Sequence, residues 1–178
     1  MNHAFPLAFF CWIHCDPEEP FPGATDLLRS LISQILLSSN GQIDMDFLTE
    51  ANLHVVQNLD IQVLWTVFEK LLDRLVSGVF FCMIDGINFL EREVHIRGMC
   101  PVMQWLGMLA KDIQARNNGL VFKLMVTSPV TSGYCRIGFP GAIEMALSGN
   151  FLSDDQVFNQ LRMASFAERA IFPGYGFT

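Results

Sequence analysis

Three short, continuous apolar runs punctuate the chain: residues 5–13 (FPLAFFCWI), 79–86 (VFFCMIDG) and 120–129 (LVFKLMVTSP). Their length and their aromatic and β-branched content predict strands buried on both faces. Between them the apolar positions change to helical spacing. Residues 25–38 carry Leu27, Leu28, Leu31, Ile32, Ile35 and Leu36, with polar residues between them. Thr25 or Asp26 is the expected N-cap. Residues 60–76 carry Val63, Leu64, Val67, Phe68, Leu71, Leu72 and Leu75, and Ser77-Gly78 marks the stop. Residues 99–116 carry Met103, Leu106, Leu109, Ala110 and Ile113, and end at Asn117-Asn118-Gly119. Residues 44–58 are weakly patterned, as for a short helix and a loop. Residues 142–147 (AIEMAL) predict a fourth, weaker strand, and residues 153–170 a last helix capped by Ser153 or Asp154.

Buried strands alternating with amphipathic helices predict an α/β fold with a mostly parallel sheet. Such sheets bind ligands outside the carboxyl ends of their strands. The residues that follow each apolar run are therefore the ones to weigh: His14, Asp85 with Gly86, and Thr127 with Ser128.

Composition narrows the picture. The 178 residues suffice for one domain with a real core. The apolar set makes up 51% and the charged set 16%, against roughly 25% in ordinary soluble domains. That excludes disorder. A net charge of -7 with scattered Lys and Arg argues against nucleic acid as a partner. No apolar run approaches the length of a membrane span, and the apolar start lacks a basic flank and a cleavage site, so a cytoplasmic protein is expected. Five cysteines, at 11, 15, 82, 100 and 135, form no disulfide framework, and Cys11, His14 and Cys15 lack a second ligand pair for zinc. Glu91, Glu93 and His95 in EREVH read as a solvated charged turn rather than a metal pair. His14 has no nucleophile elbow to serve as a catalytic base.

Asp85 carries the sharpest chemistry. An apolar strand ending in aspartate is the pattern by which P-loop NTPases hold magnesium beside nucleotide phosphates, and it is also an ordinary Asp-Gly turn. The next strand ends in Thr127 and Ser128, where polar groups would face the same point.

Three segments resemble the NACHT-type NTPase domain of fungal STAND proteins, the signal-transduction ATPases or GTPases. FFCWIHCDPEEPFPGATDLLRSLISQILL resembles the family's strand, acidic loop and helix that follow the P-loop helix. VFFCMIDGINFLE resembles its Walker B strand, and VFKLMVTSP its sensor strand. The resemblance covers residues 1–150 and leaves 151–178 as a C-terminal helical extension. It implies a partial three-layer P-loop NTPase core. It also implies ATP or GTP with magnesium as cofactor, Asp85 as the metal ligand, Thr127 and Ser128 as sensors of the γ-phosphate, and Glu91 as the residue that positions water. In the family the Walker A strand lies between the sensor strand and the last strand. Yet no G-x-x-x-x-G-K-[ST] occurs, and Lys70, Lys111 and Lys123 follow no glycine-rich turn. The expectation is a degenerate or truncated nucleotide-binding signalling module without independent hydrolysis, with its first three strands paired and the fourth displaced. The alternative is a fragment that packs on a full-length NACHT/STAND protein, or on itself, through exposed apolar surface.

Overall fold

The computed structural model describes residues 4–16, 23–39, 43–48, 60–75, 77–116, 119–130, 132–133 and 138–146. The chain divides into two compact units, Met1–Ala142 and Ile143–Thr178. In the first, the elements run β1 (Ala4–Phe10), α1 (Ala24–Ser38), α2 (Ile61–Asp73), β2 (Gly78–Asp85), a 3-10 turn (Ile87–Leu90), α3 (Glu93–Arg116) and β3 (Leu120–Val126). The strands form one parallel sheet in the order β1-β2-β3. The fold is therefore α/β, with helices flanking a parallel sheet. Among the described residues no helix is long and apolar enough to cross a membrane.

Local chemistry explains most boundaries. Asp60 caps α2, its side chain accepting from the N–H groups of Gln62 and Val63. Helix α1 starts at Gly23, whose φ of 76° suits glycine, so neither Thr25 nor Asp26 is its cap. Helix α3 begins six residues before the expected start, and EREVH is correspondingly not a solvated turn. The Arg92 carbonyl accepts from His95 and Ile96, and His95 is buried against Gly23. Pro101 lies inside α3, which is held by its buried stripe of Met99, Val102, Met103, Leu106, Leu109 and Ile113.

Strand β1 stops at Phe10, and residues 11–14 form a turn. Its burial alternates instead of being complete. Leu7 and Phe9 share one face with Phe80, Cys82, Ile84, Leu120 and Phe122, all buried. The other face presents Pro6, Ala8 and Phe10 from β1, Val79, Phe81, Met83 and Asp85 from β2, and Val121, Lys123 and Met125 from β3. Phe81 is 42% exposed and Met125 54%. The cause is topological. Both crossovers step the same way across the sheet, and crossovers of one hand put all their helices on one face. Helix α1 packs on β1 and α3 on β3, while α2 lies on α1 and brings Trp65 against Trp105 of α3. Of the three layers expected, two are present among the described residues.

The outer edge of β1 is closed by one side chain. Gln34 of α1 accepts from the Ala8 N–H at 2.9 Å and donates to the Ala8 carbonyl at 2.8 Å. This imitates the neighbour a strand would have there. No described strand pairs with the outer edge of β3.

Beyond β3 the chain returns to α3. Phe139 and Gly138 lie so close to Gly107 that a Cβ there would come within 2.7 Å of the Gly138 carbonyl oxygen. Lys111 donates to the Pro140 carbonyl at 3.0 Å. The expected fourth strand is absent: residues 142–146 run without helix or strand, and Ile143 and Met145 are exposed. Of the second unit only residues 143–146 are described, so the expected helix at 153–170 lies outside the described residues. The same holds for most of 44–58, of which residues 44–48 contain only a turn.

Candidate functional site

The tips of β2 and β3 are joined through one residue. Thr127 donates its N–H to the Ile84 carbonyl at 2.9 Å and accepts the Ile87 N–H on its own carbonyl at 3.0 Å. Its hydroxyl donates to Asp85 Oδ1 and accepts from the Gly86 N–H at 3.1 Å. Thr127 thus reaches four consecutive residues of the neighbouring tip. On the far side, the Asp85 carbonyl accepts from Cys11 at 2.9 Å and ties in the end of β1. Gly86 makes the turn out of β2 at φ 72°, a conformation that side chains with a Cβ rarely adopt. A Cβ there would also crowd the Phe89 ring at 3.1 Å.

This geometry fixes one oxygen of Asp85 and leaves the other available. Oδ2 has no hydrogen-bond partner among the described residues. A rigid carboxylate with one open oxygen, beside a hydroxyl, offers the hard donors that magnesium takes. Among the described residues no three His, Cys, Asp or Glu side chains converge on one point. A magnesium ion at Asp85 would accordingly draw most of its ligands from water and from phosphate, as is usual for that ion.

The other expected residues are placed differently. Ser128 turns into its own loop and donates to the Val130 carbonyl at 2.6 Å, so it does not join the Asp85–Thr127 pair. Glu91 follows the 3-10 turn and accepts from the Ser132 hydroxyl. It lines a small pocket with Ile87, Leu90, Ile96, Met99, Cys100 and Met103. Burial, and secondarily the charge of Glu91, push the Cys100 thiol above its ordinary range, so this cysteine is a poor nucleophile. Asn88 Oδ1 is buried with no hydrogen-bond partner among the described residues. An acceptor left so carries a desolvation cost that a donor would remove.

Sequence reasoning missed two further features. Ser132 gave no signal, because nothing in TSG marks a partner for Glu91. His14 pairs with Asp26 at the start of α1 and stacks on Phe9, with ring centroids 4.6 Å apart. Asp26 in the first helical turn was its only trace.

Lysines are remote from these tips. Lys70 belongs to α2, Lys111 holds the Pro140 carbonyl from α3, and Lys123 stands in the middle of β3. The chain matches no protein-family model, no curated protein and no solved structure.

Proposed function

We propose that the chain is a degenerate nucleotide-binding signalling module of the NACHT/STAND type, which holds ATP or GTP with magnesium at the tips of β2 and β3. One observation carries the proposal. The acid at the end of the central strand is locked by the threonine at the end of the next, in adjacent parallel strands. The Walker B and sensor elements of a P-loop NTPase require this adjacency, and a plain Asp-Gly turn does not.

In this reading Asp85 binds magnesium through Oδ2, while Thr127 holds the carboxylate in one orientation. The bound magnesium neutralises phosphate charge. Ser128 contributes only if its loop turns back, and Glu91 acts on water only if it leaves Ser132. Phosphoryl transfer depends on concentrated positive charge at the phosphates. With no lysine at the tips, the module binds and does not hydrolyse on its own.

Titration with a fluorescent ATP analogue, and with its GTP counterpart, tests this. Saturable binding in the presence of magnesium is expected, abolished by Asp85→Ala and weakened about tenfold or more by Thr127→Val. Binding that is unchanged in Asp85→Ala would refute the assignment. The bare sheet face favours a second reading, an interaction fragment that works without nucleotide. Absence of binding in both titrations supports that one.

A further inference from the structure

Among the described residues one face of the sheet is uncovered, and it has a definite chemistry. All-parallel sheets occur almost only with both faces covered. Here Phe81, Val121 and Met125 are exposed on a continuous apolar surface. Just two charged side chains stand in its rows: Lys123 in the middle of β3 and Asp85 at the tip of β2. They are opposite in sign.

We propose that this face is the contact surface of a homodimer, in which two copies pack it against itself with Lys123 of each opposite the partner's Asp85. A two-fold contact repeats every pairing, so one register forms both ion pairs at once. The axis that exchanges these two positions lies nearly across the strands. It sets the two sheets antiparallel with their strands rotated by about 40°, somewhat more than in aligned sheet packing.

Lateral assembly is less favourable. Gln34 closes the β1 edge. Lys123 is the central residue of the seven in β3, so full antiparallel pairing of two β3 edges would set lysine opposite lysine. Three strands of this length present a patch of roughly 15 by 25 Å. With about 750 Å² covered over both copies, that is below the size of standard specific interfaces, and the dimer is accordingly weak and reversible. This inference does not rest on nucleotide binding.

Sedimentation velocity of the full chain, from low to high micromolar concentration, tests it. A monomer–dimer equilibrium is expected. Phe81→Glu and Lys123→Glu each weaken it about tenfold or more, at surface positions where circular dichroism shows the fold retained. Exchanging the charges, Lys123→Glu with Asp85→Lys, restores the association that Lys123→Glu alone weakens. Zero-length carbodiimide coupling of the unaltered chain gives an independent answer: the covalent dimer contains a Lys123–Asp85 link between copies. A monomer at every concentration overturns the proposal and leaves the face to a different protein. A dimer indifferent to Phe81→Glu overturns it as well.

Discussion

Thr127 and Cys82 show how single residues of the central sheet divide the work. Thr127 places its polar atoms where the strand tips need them. Cys82 does the opposite. It sits in the middle of β2 between Leu7 and Leu124 and is 1% exposed. Burial pushes its thiol up to about 12. The unfolded chain ionises this thiol near pH 9 and the folded chain keeps its proton, so ionisation favours unfolding. The contribution is complete below pH 9 and is lost as pH rises toward 12, by about 1.4 kcal/mol per pH unit. Urea midpoints across that window are expected to fall more steeply for the native chain than for Cys82→Ala. Equal slopes would show that the thiol does not stay neutral in the fold.

At the scale of elements, the parallel sheet has one edge closed and one face open, and both follow from how the helices are connected. The Gln34 amide replaces a missing strand at a single residue, Ala8, and a third contact to the Ser30 hydroxyl at 3.0 Å steadies it. Gln34→Ala is expected to cost about 1–2 kcal/mol in urea unfolding and to raise light scattering on warming, because it frees the β1 edge. Unchanged stability would mean that solvent replaces the amide without loss. The elements themselves were largely legible in the sequence. The stripe of α2 can be read directly, and so can the three apolar runs. The bare face was not legible, because FPLAFFCWI and VFFCMI are apolar at every position and carry no alternation to separate a covered side from an open one. His95 looked solvated because its neighbours Arg92 and Arg97 are charged, while the space that buries it comes from Gly23, far away in sequence. Residues 142–146 have a strand's apolar content but form neither helix nor strand. Of the candidate site, the juxtaposition of Asp85 and Thr127 was legible from their places after apolar runs. The hydrogen bonds of Ser128 to Val130 and of Ser132 to Glu91 were not, since neither residue type nor spacing announces them.

For the whole molecule, the two proposals meet at one carboxylate. Asp85 lies at the strand tips, where magnesium and phosphate would bind, and in the row of side chains that a second copy would cover. If both hold, nucleotide and self-association oppose each other, which is a simple linkage for a signalling module. The apolar excess of the composition lies mostly in the core, and the open face of the sheet adds to it. The account stands or falls on whether the strand tips hold a metal–nucleotide complex. The most direct measurement replaces magnesium with paramagnetic manganese. Amide resonances of the labelled chain are then recorded with the manganese complex of a non-hydrolysable ATP analogue. The account predicts selective broadening at Asp85, Gly86 and Thr127, absent in Asp85→Ala. Broadening confined to the exposed acids Asp44 and Asp46, or none at all, would contradict it.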